Sequence, residues 1–128
     1  MSWSIDYGAL PGIVEIYYEG DVTGSDLREA TKKRISMQEE TGANHILVDA
    51  SQTRGGPPMG DLFDLPDKIY PKTNARRNTL IAFVLPQDAK SRELAHFFQT
   101  TAKNRGWKIE LFENRENAVS WLTNRTEK

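Results

Sequence analysis

Apolar and polar residues alternate along the opening stretches of the chain. In "SWSIDYG", the side chains of Trp3, Ile5 and Tyr7 alternate with polar ones, which predicts a strand with one buried face. Residues 13–19, "IVEIYYE", are rich in branched and aromatic side chains and predict a second strand. Because only a short turn with the sequence Leu-Pro-Gly separates the two, we expect an antiparallel hairpin.

Apolar residues recur at helical spacing in three later stretches of the chain. A residue that can cap a helix precedes each stretch, since its side-chain oxygen can accept a hydrogen bond from a free backbone amide. The predicted caps are Thr23, either Ser91 or Asp88, and Asn114, and the predicted terminal glycines are Gly42 and Gly106. A further short helix is predicted near residues 60–65, where Pro66 would kink or end it.

Three short apolar runs predict the remaining strands: residues 45–50 ("HILVDA"), 79–85 ("TLIAFVL") and 107–112 ("WKIELF"). The unbroken apolar centre of the first run suits a parallel strand that is covered on both faces. The second run is the most apolar, so we expect it at the centre of the sheet with Phe83 in the core, while alternation in the third indicates an edge. The element order ββαβαβαβα predicts an α/β fold with a five-stranded mixed sheet, an antiparallel first strand and about four helices.

Length and composition narrow the class of protein. With 128 residues, we expect a single domain that spans residues 1–128. The chain has no cysteine, which excludes disulfides, and its net charge of −1 gives no electrostatic reason to expect a nucleic acid or an anionic membrane as a partner. The first residues do not resemble a signal peptide, and no apolar run approaches the roughly 20 residues of a membrane helix. We therefore expect a soluble cytoplasmic protein that is not embedded in a membrane.

Polar residues that follow the predicted strands are the candidates for a binding site. In open parallel sheets, ligands lie at the carboxyl ends of the strands. Loop residues there offer polar groups, and the short helix after the third strand offers apolar ones. Together they suit a small ligand with a polar head and an apolar body. The predicted ligand-binding residues are Gly20, Asp21, Asp49, Ser51, Arg54, Met59 and Phe63.

Neither a catalytic group nor a metal or other cofactor is expected. His45 and His96 lack the spacing to another histidine, cysteine or carboxylate that a metal site requires. The glycine-rich stretch "TRGGPPMG" lacks the lysine and hydroxyl of a phosphate-binding loop. Lys72, Arg76 and Arg77 form a basic segment that could hold an anion or an acidic partner, or could be an ordinary solvated loop.

Asp49 allows two interpretations. Its place at the end of an apolar run resembles that of the phosphoacceptor aspartate of a receiver domain. Such a domain also needs a hydroxyl after the fourth strand and a lysine after the fifth, whereas this chain has Leu85-Pro86 and Phe112-Glu113 there. Without that hydroxyl and that lysine, the protein would lack the side chains that respond to a phosphate on Asp49. We therefore predict that Asp49 is not phosphorylated and that it accepts hydrogen bonds from backbone amides of the following turn.

The ordered set of motifs resembles the SpoIIAA-like family, a group related to STAS domains. The resemblance covers about residues 5–123. The family's sequence pattern at the start of the first helix is matched by Gly20, Val22, Thr23 and Asp26. It implies a superhelix of β-α units on a mixed sheet. Many members of the family have no assigned activity.

The same resemblance implies where a phosphorylation switch would be. In many STAS domains an Asp-x-Ser at a strand end is followed by a switch serine at the start of the next helix. Asp49 and Ser51 match the first part, but Pro58 stands at the switch position and has no hydroxyl. Ser51 or Thr53 could replace the missing serine only if the loop were rebuilt.

One leading hypothesis and two alternatives follow. The leading hypothesis is a non-catalytic binding or regulatory domain that holds a small apolar or amphipathic ligand, or a protein partner, at the strand ends. One alternative is a phosphorylation switch similar to an anti-sigma-factor antagonist. The other is a small enzyme that uses carboxylates such as Asp21 and Asp49. A homodimer is compatible with each of the three.

Overall fold

The computed structural model describes residues 3–54, 64, 69 and 78–126. The strands in these residues are β1 (Trp3–Tyr7), β2 (Ile13–Gly20), β3 (His45–Thr53), β4 (Leu80–Val84) and β5 (Lys108–Phe112). The helices are α1 (Gly24–Thr41), α2 (Ala89–Asn104) and α3 (Arg115–Thr126). Of residues 60–65, where the sequence predicts an additional short helix, the structure describes only Asp64, which has helical conformation.

All five strands form one sheet, in the order β1-β2-β3-β4-β5. β1 is antiparallel to β2, and every other neighbouring pair is parallel. This arrangement confirms the predicted α/β fold with a mixed sheet and an antiparallel first strand. The middle strand is β3, however, and not β4 as the sequence predicts. β4 is also paired along both edges, so both strands need continuous apolar runs and hydropathy alone does not order them.

Side chains cap the amino ends of α1 and α2 at the edge of the sheet where β2 and β4 end. The hydroxyl of Thr23 accepts a hydrogen bond from the backbone N–H of Asp26 at 3.1 Å, and the carboxylate of Asp26 accepts one from the N–H of Thr23 at 3.0 Å. Of the two candidate caps for α2, the structure selects Asp88, whose carboxylate accepts from the N–H and the hydroxyl of Ser91 at 3.0 and 2.9 Å. Gly42 follows α1 with φ 76°, the left-handed conformation expected of a terminal glycine.

The sheet has two faces, because successive side chains of a strand point in opposite directions. The α1–α2 face is the one covered by α1 and α2, and the α3 face is the one covered by α3. Strand residues in the core of the α1–α2 face include Val14, Ile16, Ile46, Val48 and Ile81. The core of the α3 face consists of Ile13, Leu47, Ala82, Val84, Ala118 and Leu122.

Candidate functional site

A cleft opens on the α1–α2 face, between the two helices and above the sheet. Its cavity volume is about 80 Å³. The strands contribute Ile16, Tyr18, Val48, Ala50, Ile81 and Phe83 to its lining, and the helices contribute Leu27, Leu94, Ala95 and Phe98. Thr53 and Pro86 lie where β3 and β4 end, so the cleft reaches the carboxyl ends of the strands.

Small side chains and one half-buried aromatic ring are among the residues that line the cleft. Ala50 on β3 and Ala95 on α2 leave room that larger residues would fill. Phe83 is half-buried and lines this space, with its ring centroid 6.3 Å from that of Phe98. The sequence predicts Phe83 as a core residue, and the structure places it half-buried at the wall of the cleft, packed against the core of the α1–α2 face.

Arg34 brings a positive charge into the apolar lining. The residue is only 4% exposed, although it belongs to a surface-lying helix. Its Nη1 donates a hydrogen bond to Oε1 of Gln38 at 3.2 Å. Nε2 of Gln38 donates in turn to the carbonyl of Ala43 at 3.3 Å and to the hydroxyl of Thr79 at 3.2 Å. A chain of buried polar groups therefore holds Gln38, and Gln38 orients the guanidinium of Arg34.

The sequence analysis missed Arg34, although a signal was present. Leu27, Ala30 and Thr31 mark the inward side of α1, and Arg34 continues their spacing seven residues after Leu27. A charged residue at an inward position of an amphipathic helix is the pattern that could have identified it.

Two of the predicted site residues meet at the rim of the sheet. The backbone N–H of Arg54 donates to the carbonyl of Gly20 at 3.0 Å. Gly20 has φ 65°, and Gly20, Asp21 and Arg54 are all exposed. None of these three is among the described residues that line the cleft.

Asp49 and Ser51 lie apart from the cleft, because Val48 and Ala50, which alternate with them along β3, point into it. Oδ1 of Asp49 accepts hydrogen bonds from the backbone N–H of Ser51 at 3.0 Å and from its hydroxyl at 2.6 Å. The prediction that Asp49 accepts a hydrogen bond from a following amide is confirmed. Met59 and Phe63, the other two predicted site residues, lie outside the described residues.

A second cavity, of about 220 Å³, contains Asp49. Ser4, Tyr17, Glu19 and Gln52 also line it. Its geometry follows from a shift in register: Tyr17 pairs with Asp49, but Glu19 pairs with Gln52, so β3 has one extra residue at this point. Such a bulge turns the following side chains of a strand and is common next to functional sites. Of the predicted site residues that the structure describes, Gly20, Asp21 and Arg54 are thus at the exposed rim, and Asp49 lines this polar cavity.

A buried ion pair crosses the α3 face. Glu15 on β2 is 1% exposed, and its Oε1 accepts hydrogen bonds from Nη2 of Arg115 at 2.5 Å and from the hydroxyl of Tyr17 at 2.6 Å. The guanidinium of Arg115 also lies 5.9 Å from the centroid of the Tyr17 ring. Burial, and then the hydrogen bond to the negatively charged Glu15, raises the pKa of Tyr17. This cluster ties the first residue of α3 to the sheet.

His45 makes a hydrogen bond that holds two strands together, and it is not part of a metal-binding group among the described residues. Its Nδ1 accepts a hydrogen bond from the backbone N–H of Leu80 at 3.2 Å, which ties the start of β3 to β4. Burial lowers the pKa of His45. Within residues 3–54, 64, 69 and 78–126, no three histidine, aspartate or glutamate side chains are grouped so that they could hold a metal ion. In the same part of the chain, no helix is long and apolar enough to cross a membrane.

Comparisons with known proteins identify relatives by sequence family and by fold. The model of the SpoIIAA-like family matches residues 13–123. No curated protein matches the sequence significantly. An uncharacterised protein of the DUF3478 family from Shewanella loihica PV-4, which has a SpoIIAA-like fold, is similar in structure, with a TM-score of 0.60 and 16% identity over 94% of each chain.

A much larger protein shares the fold over part of its length. The structure of SLC26A9 matches 91% of this chain with a TM-score of 0.55 and 13% identity, and the match spans 20% of the SLC26A9 chain. At this level of identity the likeness concerns the fold alone.

Proposed function

This chain belongs to the SpoIIAA-like family, and we propose that it is a non-catalytic binding or regulatory protein that holds a small apolar or amphipathic molecule in the cleft between α1 and α2. The observation that carries the proposal is the lining of the cleft, where apolar side chains from three strands and two helices surround a space with few polar groups. Concave apolar sites with a few polar groups are the usual form of small-molecule sites.

The two alternatives have less support. The hydroxyl of Ser51 donates to Asp49 at 2.6 Å, so a phosphate on Ser51 would place its negative charge against a carboxylate. A small enzyme would need its carboxylates beside the bound molecule, and neither Asp21 nor Asp49 lines the cleft.

Filling the cleft tests the proposal. Ala95 is 5% exposed and lines the cleft, so Ala95→Leu would occupy the space that an alkyl chain needs. We expect calorimetric titration with octan-1-ol to show binding to the unmodified protein and binding weaker by about tenfold or more to Ala95→Leu, a difference of about 1.4 kcal/mol.

Ala89→Leu is the matched control, because Ala89 is exposed on the same helix. It should bind octan-1-ol as the unmodified protein does, and thermal melts should show that both variants fold. Equal affinity of all three proteins for octan-1-ol would contradict the cleft as the binding site. Native mass spectrometry of the protein from its own host would then identify a retained molecule.

A further inference from the structure

Thr31 contributes a hydroxyl group to the lining of the cleft. The residue is only 4% exposed and lies on α1 one turn after Leu27, which also lines the cleft. Its hydroxyl makes no hydrogen bond with the part of the chain that the structure describes. Because Thr31 is nearly enclosed and borders the cleft, a molecule in the cleft is the partner that can reach this hydroxyl.

Two other helical threonines bond their hydroxyls within the helix. The hydroxyl of Thr41 donates to the carbonyl of Met37 at 2.7 Å, and that of Thr123 donates to the carbonyl of Val119 at 3.0 Å. Threonine hydroxyls in helices commonly bond in this way to the carbonyl four residues earlier. Thr31 does not form this bond among the described residues, so its hydroxyl stays available to a ligand.

The other polar side chains of the lining have partners within the protein. The hydroxyl of Ser91 donates to the carboxylate of Asp88 at 2.9 Å, and that of Thr53 donates to the carbonyl three residues earlier at 2.7 Å. Arg34 donates to a glutamine side chain and has a further interaction as well. Among the described polar side chains of the lining, Thr31 is therefore the one whose hydrogen-bonding capacity is unused.

A single hydroxyl suits a neutral oxygen better than a charged group. It can donate one hydrogen bond and accept others, which matches the O–H of an alcohol. An ionised carboxylate or ammonium needs more partners than this to offset the loss of its hydration.

We infer that the cleft is selective for a neutral alkyl alcohol, whose hydroxyl forms a hydrogen bond with the hydroxyl of Thr31 while its chain packs on the apolar walls. This inference rests on the proposed binding function and adds to it the class of the ligand. In this arrangement Thr31 is the residue that determines specificity.

Three ligands with carbon chains of one length test the inference on the unmodified protein by calorimetric titration. Hexan-1-ol, 1-chlorohexane and hexanoate differ only in the group at the end of the chain. We expect hexanoate to bind about tenfold more weakly than hexan-1-ol or worse, because its carboxylate would lose its hydration in the cleft. 1-Chlorohexane has no O–H and should bind through the apolar walls alone.

Variants of Thr31 assign the recognition of the alcohol to one hydroxyl. Thr31→Val keeps the shape and removes the hydroxyl, so it should bind hexan-1-ol about fivefold more weakly and 1-chlorohexane as the unmodified protein does. Thr31→Ser keeps the hydroxyl and should bind hexan-1-ol within about twofold of the unmodified protein. Thr101→Val is the matched control, because Thr101 is 6% exposed on α2 and is not among the described residues that line the cleft. It should bind both ligands as the unmodified protein does.

The outcomes separate this inference from the proposed function. If Thr31→Val, folded by circular dichroism, binds hexan-1-ol as tightly as the unmodified protein does, the role of Thr31 is overturned and the apolar cleft remains a binding site. The same holds if Thr31→Val weakens hexan-1-ol and 1-chlorohexane equally, or if Thr31→Ser loses the affinity for hexan-1-ol. Tighter binding of hexanoate than of hexan-1-ol would overturn the class of ligand. If none of the three ligands binds, both the proposed function and the inference fail.

Discussion

The two faces of the sheet are built from the same strands and differ in how the helices pack on them. On the α3 face, one helix packs closely on an apolar core whose members include Leu47 and Leu122, both fully buried. The buried carboxylate there, Glu15, meets an arginine directly. On the α1–α2 face, two helices leave a cleft, and the buried guanidinium of Arg34 is oriented by the amide of Gln38.

The proposed binding function would divide packing and function between the faces. A tightly packed face contributes stability because every truncation leaves a cavity that the surroundings cannot fill. A face with an existing cleft gives up part of that contribution, and under the proposed function it offers the binding surface. The difference can be measured by substituting residues of neighbouring strands on opposite faces.

Truncation of the α3-face core should have the largest effect. Leu47→Ala removes a fully buried side chain from β3, and we expect it to lower the free energy of unfolding by about 2–5 kcal/mol. Phe83→Ala on β4 should lower it by only about 1–2 kcal/mol, below the usual range for phenylalanine, because Phe83 already borders the cleft. Urea denaturation measures both values. A larger loss for Phe83→Ala than for Leu47→Ala would contradict the division between the faces.

Breaking the ion pair of the α3 face should have the next largest effect. Arg115→Met leaves the buried carboxylate of Glu15 without its cationic partner, and losses of about 3–5 kcal/mol are typical of such changes. The side chain of Arg115 is 40% exposed, which lets water replace part of the interaction, so we expect about 2–3 kcal/mol in urea denaturation.

Arg92→Met is the control for that prediction. Arg92 pairs with Glu113 at 2.5 Å, but both side chains are substantially exposed, so its loss should be much smaller than that of Arg115→Met. If the two variants lose equal stability, burial of Glu15 does not strengthen the contact.

A smaller effect is expected when the pH falls. Burial lowers the pKa of His45, so between its folded value and about 6.5 the unfolded chain binds more protons than the folded one. The contribution of neutral His45 is therefore complete above about pH 6.5 and is lost as the pH falls through the lower, folded value.

Protonation would also remove the acceptor that Nδ1 offers to the backbone N–H of Leu80. Urea midpoints of the unmodified protein and of His45→Asn measure the effect when they are compared between pH 7.5 and 5, which are about one unit above and one and a half units below the ordinary histidine pKa. The unmodified protein should lose more stability over this range than the variant does. Parallel curves would show that His45 is not the cause.

The fold was largely predictable from the sequence because its signals are local. Alternation in β1, the capping box at Thr23 and the terminal glycine at Gly42 each depend on residues a few positions apart. The order of the strands was harder to predict, because β3 and β4 are both apolar and each pairs with a neighbour along both of its edges.

The site was harder to predict because it depends on which face each rim residue occupies. Asp49 and Ser51 belong to a strand that does line the cleft, but the alternation of β3 directs Val48 and Ala50 into it instead. The bulge in β3 is a property of pairing with β2 and has no signature in either strand alone. Glu15 and Arg115, which are 100 residues apart, meet only in the folded chain.

The last prediction is that acetyl phosphate does not phosphorylate Asp49. Asp49 uses Oδ1 to bind the amide and the hydroxyl of Ser51, which supports a structural role. Incubation with acetyl phosphate followed by intact mass measurement should therefore show no phosphoryl adduct. A stoichiometric adduct that disappears in Asp49→Asn would assign a signalling role to the polar side of the rim.

Amide chemical shifts during titration with octan-1-ol test the central claim most directly, because they report on both faces in one experiment. We expect the largest changes at Ala50, Leu94 and Ala95 around the cleft, with little change at Tyr17 and Asp49 in the polar cavity. Changes concentrated at Tyr17 and Asp49, with the cleft residues unaffected, would contradict the assignment of ligand binding to the α1–α2 face.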